Sequence, residues 1–339
     1  MSTPRTSVPV LDLSAARNPD GFFNSDFIDS LRDAAHNVGF FQITNYGAAD
    51  GQAQALLDTV AGFFRLPLVQ RLELDNRTSA QFRGYTRLGT EITRGRADSR
   101  EQIDYGPDRE PFIDVPADQL FLRLQGHNQW PAGYPELERA AMAWAALMAC
   151  VGAELLAGIS VALGLPEDYF ADPFTWSPAW MGKLVHYVGG QVTAAGTQGV
   201  GAHADYGFVT LLLQDNVGGL AVQPHGHTEW IPVDPIPGAL VVNLGEMLEV
   251  ATNGYLMATI HRVTAPSPGL DRYSVPFFWS PRLDAVINTV PLSAELAAEA
   301  RGVTDDPNNA MLSSYGSNVL KGWVRAHPQT AAIHYPEVG

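Results

Sequence analysis

The chain has 339 residues, 46% of them hydrophobic, and a formal net charge of −15 at pH 7. So acidic a chain disfavours nucleic acid and anionic membranes as partners, because either requires a basic patch to displace counterions. Its single cysteine, Cys150, excludes an intramolecular disulfide and fits a reducing, cytoplasmic setting.

In chain order, no signal peptide opens the sequence. Phe27, Ile28, Leu31, Ala34, Ala35 and Val38 fall at helical spacing and predict a helix over 25–38, closed by Gly39. A second helix is predicted over 52–64, ended by the approach to Pro67. Residues 80–133 are rich in Arg, Gly, Asp and Pro and read as loops with short strands. The most apolar segment, 135–163, predicts a long helix with one buried face: Trp144, Met148, Val151, Leu155, Ile159 and Ala162. No stretch is read as apolar enough to cross a bilayer, this one carrying Glu136, Glu138, Arg139 and Glu154, and Cys150 reads as core.

From Trp180 onward, short β-type runs at 183–188, 208–214, 220–223, 240–244 and 273–278 alternate with Gly, Pro and Asn turns. That pattern favours a sandwich or barrel. With no repeat or long linker, the expected organisation is one domain over 1–339. It comprises a helical and loop part over 1–175, a β core over 176–290 and a helical segment over 291–339.

Two triplets in the C-terminal half carry chemistry. In a strand, His203 and Asp205 of His203-Ala204-Asp205 share a face. With His261 of His261-Arg262-Val263 they would supply two imidazoles and one carboxylate. That set leaves three metal positions open, as non-haem Fe(II) oxygen chemistry requires. Arg272 and Ser274 repeat the spacing and would present a guanidinium beside a hydroxyl, suited to a carboxylate held bidentately. Each triplet alone is weak in a chain with nine histidines; the order and the joint set are not.

Other candidates weigh less. His225 and His227 read as an exposed turn, His186 as a core or pocket-wall residue, and His127 as part of a structural loop. Arg83, Tyr85, Arg87, Arg94 and Arg96 read mostly as a solvated loop, with one or two near a pocket. Phe278 shares the face of Arg272 and Ser274. Tyr206 and Phe208 flank the metal pair.

Further motifs complete a resemblance. Val8-Pro9-Val10-Leu11-Asp12-Leu13 and Gly39-Phe40-Phe41-Gln42-Ile43-Thr44-Asn45-Tyr46-Gly47 stand near the start. Gln214-Asp215-Asn216-Val217-Gly218-Gly219-Leu220 and Gly238-Ala239-Leu240-Val241-Val242-Asn243-Leu244-Gly245 stand later, followed by Arg272-x-Ser274-x-Pro276-Phe277-Phe278. The chain resembles the isopenicillin N synthase-like Fe(II)/2-oxoglutarate-dependent dioxygenases almost end to end. Tyr46 replaces a family histidine, a substitution read as structural.

The resemblance implies a mainly β fold with a helical buttress, built on a double-stranded β-helix (jelly-roll) core. It implies Fe(II) held by His203, Asp205 and His261, and 2-oxoglutarate anchored by Arg272, Ser274 and Tyr187. Dioxygen takes the remaining position. The implied reaction hydroxylates, desaturates or cyclises a small molecule of secondary metabolism, releasing succinate and carbon dioxide. The alternative is a 2-oxoglutarate-independent oxidase of the isopenicillin N synthase type, in which the same arginine holds a substrate carboxylate. A jelly-roll binding protein or a zinc hydrolase fits less well. Phe278, Tyr206, Phe208 and Tyr85 are candidate substrate contacts, and residues 312–323 a candidate selector. The oligomeric state is left open.

Overall fold

The computed structural model describes residues 7–190, 198–304 and 310–338. The N-terminal part runs β1 (Val10–Asp12), α1 (Ser25–Asn37), β2 (Phe40–Thr44), α2 (Gln52–Phe64) and α3 (Leu68–Arg71). It continues through β3 (Gly84–Thr86), β4 (Ile92–Thr93), β5 (Arg96–Ala97) and β6 (Glu101–Tyr105) to the long α4 (Glu136–Ala162) and α5 (Ala171–Phe174). Then come β7 (Met181–Tyr187), β8 (Gln198–His203), β9 (Val209–Gln214), β10 (Leu220–Gln223), β11 (Ile231–Pro232) and β12 (Leu240–Leu244). The chain closes with α6 (Glu246–Ala251), β13 (Ile260–Thr264), β14 (Arg272–Trp279), α7 (Ala294–Glu299), α8 (Tyr315–Ala326) and α9 (Pro328–His334).

An eight-stranded sheet in the order β1-β2-β12-β9-β14-β7-β6-β3 faces a four-stranded sheet, β11-β10-β13-β8. Four strands of the larger sheet (β1, β2, β3 and β6) come from residues 1–175. The expected division at residue 176 therefore does not divide the sheet. Short β1 and β3 give too little alternation to register as strands alone.

Both faces of the larger sheet are covered, which explains why its strands read as unbroken apolar runs. Phe40, Val185, Tyr187 and Val241 point toward the small sheet, against Val200, Leu220, Val222 and Val263. Phe41, Ile43, Leu184, Leu211, Val242 and Phe277 point the other way, into a core shared with the helices. Gly39 turns α1 into β2 at φ +67, where a Cβ would strike the Met257 carbonyl.

The predicted stripe of α4 is buried as expected and packs on α1, α2, β9 and β14. A Cβ at Gly152 would stand 2.7 Å from Trp279 Cγ, so glycine sets the approach of α4 to the end of β14. Tyr46 is buried and meets Trp144 edge-on at 6.3 Å, a packing role. Two expectations fail on this helix. Cys150 is exposed, because at 100° per residue it lies about 120° round from the stripe. And α4 is long and apolar enough to cross a membrane by length and composition, its best window reaching a mean hydropathy of 1.9. Within the fold, 56% of that window is buried by the neighbouring helices and sheet.

Candidate metal centre and pocket

Strand pairing brings the two histidines together. His203 ends β8 and His261 sits directly opposite it on β13, with ring centroids 4.2 Å apart. Asp205 does not lie on the strand as its spacing suggested. The chain leaves β8 after His203 and turns, pinned by the Glu246 N–H to the Asp205 carbonyl at 2.7 Å. A Cβ at Gly245 would strike the Gly207 carbonyl, so glycine is needed where the two turns touch. The turn still carries the carboxylate to the imidazoles.

Each of the three side chains has one heteroatom tied to protein and one left over. His203 Nδ1 meets the Gly201 carbonyl at 2.8 Å, and His261 Nδ1 meets the Thr259 carbonyl at 3.1 Å. Asp205 Oδ2 accepts from Thr210 Oγ1 at 2.7 Å and from Asn243 Nδ2 at 2.8 Å. The remaining atoms converge: Asp205 Oδ1 is 3.6 Å from His203 Nε2 and 3.8 Å from His261 Nε2. Anchoring the distal atom in this way is how metal sites fix ligand orientation. Thr210 and Asn243 went unnoticed in the sequence as participants, although Asn243 interrupts an otherwise apolar strand.

Electrostatics keep the donors in metal-binding form. Burial pushes both imidazoles down, His261 to about 4 with a further push from His203. Burial alone would raise the Asp205 carboxyl. The two histidines and the hydrogen bonds from Asn243 and Thr210 outweigh it and hold the carboxyl below its ordinary range. Two neutral imidazoles and one carboxylate are the protonation states that Fe(II) needs.

The triad opens onto a cavity of about 490 Å³, and the inward face of β14 runs along it through Arg272, Ser274, Pro276 and Phe278. The alternate residues turn away: Tyr273 stacks on His186 at 4.8 Å, while Val275 and Phe277 join the core. Arg272 is 1% exposed. Its Nε donates to the Gly218 carbonyl at 2.7 Å and its Nη2 to Gln214 Oε1 at 3.2 Å. Nη1 is buried without a partner. Tyr187, opposite Arg272 on β7, places its ring 4.8 Å from the guanidinium. No carboxylate lies within ion-pair distance of Arg272 among the described residues. A buried cation with one donor unspent fits an incoming carboxylate.

Of the expected substrate contacts, Phe278 and Tyr206 line the cavity. Tyr85 and Phe208 do not. Tyr85 turns into the core, where its hydroxyl meets Glu101 and accepts from Arg71 Nη1 at 3.1 Å. Phe208 is held edge-on between Phe170 and Phe174, at 5.8 and 5.3 Å. At Phe208 one residue's step along the backbone decides the face, since Gly207 lines the cavity. Tyr206 lies against α8, where a Cβ at Gly322 would come within 2.9 Å of its ring. From α8, Tyr315, Val319, Gly322, Trp323 and Ala326 form one stripe toward the cavity, within and just beyond the expected 312–323 selector.

His225 is exposed in a turn, His127 is bound to Asp108, and His186 is tied to Glu101 at 2.8 Å. Arg87, Arg94 and Arg96 are exposed as expected, whereas Arg83 is buried in the cavity wall. Nor did the irregular 80–133 segment announce a buried ion network beside the triad. There Glu91 lies 2.9 Å from Arg100 and 3.2 Å from Lys183, which also reaches Asp104 at 2.9 Å.

Comparison with known proteins agrees with this geometry. Residues 8–133 match the model described as non-haem dioxygenase in morphine synthesis N-terminal, and residues 182–281 match the 2OG-Fe(II) oxygenase superfamily. A 2-oxoglutarate-dependent dioxygenase of a Dothideomycetidae species is 33% identical over 98% of this chain and 93% of its own length. A homoarginine-6-hydroxylase from Oryza sativa is 32% identical over 85% of this chain and 90% of its own. Among solved structures, a 2OG-Fe(II) oxygenase family protein from Caulobacter crescentus superposes with a TM-score of 0.73 at 27% identity, covering 94% of this chain and 98% of its own. A Neurospora crassa protein in complex with α-ketoglutarate gives 0.75 at 25%, covering 95% and 98%.

Proposed function

Because the chain belongs to the 2-oxoglutarate/Fe(II) oxygenase family, as its relatives and matched models establish, we propose the following roles for its residues. His203, Asp205 and His261 hold the iron through Nε2, Oδ1 and Nε2. Arg272 and Ser274, with Tyr187, receive the far carboxylate of 2-oxoglutarate. The observation that carries this reading is the paired economy of the site. Every ligand has its second heteroatom bound to protein, while Arg272, on a strand of the facing sheet, keeps Nη1 unpartnered.

The enzyme is an Fe(II)- and 2-oxoglutarate-dependent oxygenase, and its relatives favour this over the cosubstrate-independent oxidase. The bound iron, 2-oxoglutarate and dioxygen supply oxidative decarboxylation to succinate and carbon dioxide, and the oxidising power that removes hydrogen from a substrate carbon. The chain's own part is placement. Gly201 and Thr259 carbonyls fix the imidazole rings, Thr210 and Asn243 fix the carboxylate, and Arg272 sets the cosubstrate's tilt. Phe278 and Tyr206 position a small-molecule substrate, and the α8 stripe excludes water. We read the setting as the cytoplasm, whose reducing conditions preserve Fe(II) and the exposed Cys150 thiol.

The direct test is anaerobic. Fe(II) protein given 2-oxoglutarate is expected to develop a weak visible charge-transfer band and, in air, to release succinate. Full turnover of a substrate without 2-oxoglutarate would overturn the anchor.

A second expectation separates pocket wall from core. Phe278→Ala should lower the substrate converted per succinate formed while leaving the melting temperature close to wild type. Phe208→Ala should do the reverse, because truncating a core phenylalanine costs about 3–5 kcal/mol of stability. Measuring both quantities on both variants decides it; a destabilised Phe278→Ala with intact coupling removes Phe278 from the pocket.

A further inference from the structure

The cavity contains a second arginine built like Arg272. Arg83 is 8% exposed, and its Nη1 is held by neutral acceptors only: the Pro107 carbonyl at 2.8 Å, the Gly126 carbonyl, and Asn128 Oδ1 at 3.1 Å. Asn128 is itself locked by two bonds to the Gly106 backbone, at 2.9 and 2.8 Å. A Cβ at Gly106 would lie 2.8 Å from Arg83 Nη2, so glycine makes room for the guanidinium. Arg109 is its neighbour. The Arg109 backbone N–H donates to the same Gly126 carbonyl at 3.3 Å, and its guanidinium is tied to Ser177 Oγ at 2.6 Å and the Pro178 carbonyl at 3.2 Å. Both arginines line the cavity.

Neither has a carboxylate within ion-pair distance among the described residues. Apart from Arg272, the other cavity cations do: Arg100 meets Glu91 and Asp98, Lys183 meets Glu91 and Asp104, and Arg282 meets Asp172 and Asp284. The nearest acid, Asp108, is engaged by His127 at 2.7 Å and the Asn128 N–H at 3.2 Å. Burial, opposed by Asp108 but joined by the like charge of Arg109, pushes Arg83 down to about 10; burial also pushes Arg109 down. A buried guanidinium beside a half-buried one, neither with a counterion, is costly to hold, and a protein recovers that cost when an anion arrives.

We propose that Arg83 and Arg109 form a clamp for the acidic group of the substrate, and that the substrate is a small organic carboxylate. The inference rests on the reading of this cavity as the substrate chamber of the oxygenase. Strand register separates the clamp from the cosubstrate anchor. Arg83 precedes Gly84, which pairs with Asp104; the adjacent Tyr105 pairs with Gly182, and Gly182 with Phe277. The clamp therefore belongs to the Phe278 end of β14 and Arg272 to the other. At about 3.3 Å per residue the two ends lie about 20 Å apart along the strand, too far for one five-carbon diacid to serve both. At the clamp end stand Met181, Trp180, Tyr105 and Phe278, walls for an apolar body. A cationic substrate finds no unmatched acid, since Glu91 and Asp104 are already paired with Arg100 and Lys183.

The test uses the full chain loaded with Fe(II), under anaerobic calorimetry with and without saturating 2-oxoglutarate. The probes are alkanoic and arylalkanoic acids (octanoate and 3-phenylpropanoate among them) and their methyl esters. With 2-oxoglutarate in place, acids are expected to bind and esters to bind at least tenfold more weakly. Arg83→Gln and Arg109→Gln should each weaken acid binding tenfold or more and leave the 2-oxoglutarate affinity unchanged. Arg109→Gln and Arg83→Lys, checked by melting temperature, keep the test decisive should Arg83→Gln fail to fold. Esters binding as well as acids, no acid binding at all, or acid affinity unchanged in the variants would overturn the clamp. Loss of 2-oxoglutarate binding in the wild type would instead strike the parent reading, and the acid-against-ester comparison without 2-oxoglutarate would still judge the clamp.

Discussion

Asp205→Ala is expected to emerge from anaerobic reconstitution without iron and to release no succinate. It removes the one charged donor and leaves two neutral imidazoles, His203 and His261, facing each other across the gap. Substitutions outside the ligand shell of a metal site typically cost about 10–100-fold in affinity or activity. Asn243→Ala and Thr210→Ala, which free Asp205 Oδ2, should lose affinity within that range, and Asp205→Ala should lose far more. His203→Ala and His261→Ala should match Asp205→Ala. Metal content after gel filtration, read beside the melting temperature, checks the series. Stoichiometric iron and normal succinate release from any one of the three would remove that residue from the ligand set.

Arg272→Leu should leave iron binding near normal while raising the 2-oxoglutarate needed for half-saturation of the visible band. Truncating one partner of a buried charge pair costs about 2–5 kcal/mol, a factor of about 30 to a few thousand. Ser274→Ala removes a single hydroxyl contact worth about 0.5–1.5 kcal/mol, roughly two- to tenfold. Arg272→Leu also strips the donors from Gln214 and the Gly218 carbonyl, so some stability should be lost with it. Arg272→Lys separates the two effects, since it keeps the charge but loses the planar fork. Equal affinities for 2-oxoglutarate in all three variants would move the anchor elsewhere.

What could be read in the sequence follows from how local the signal is. The helices over 25–38, 52–64 and 135–163 announce themselves through periodic burial, and the structure places them within a residue or two of those limits. The convergence of His203 and His261, and the place of Arg272 in the cavity wall, were legible because such chemistry is rare at that spacing. Asp205 was found for a partly wrong reason: the turn after β8, not a continuing strand, delivers it. Tyr85 and Phe208 were misplaced because an aromatic residue beside a motif has two faces to choose from, and only packing against α2 or α5 decides. Arg83 looked solvated because its stabilising partners are backbone carbonyls more than twenty residues away, which carry no side-chain signature. Cys150 shows the converse error, a residue assigned to the core by the company it keeps in sequence.

The place of β2 in the larger sheet bears on how the chain is made. Phe40 pairs with Asn243 and Ile43 with Leu240, so the N-terminal strand awaits a partner that lies about two hundred positions downstream. At a ribosomal pace of about 5–20 residues per second, that wait is roughly 10–40 s. Through it α1, α2 and α4 have been synthesised, yet the sheet they cover is missing its centre: β9, β12 and β14 arrive only after residue 208. The most apolar helix of the protein is thus exposed on the nascent chain before its docking surface exists. Long-range pairing of this kind also slows folding once synthesis ends. A chaperone that shields apolar helices should therefore raise the yield of active enzyme most during translation, and much less when added to the finished, denatured chain.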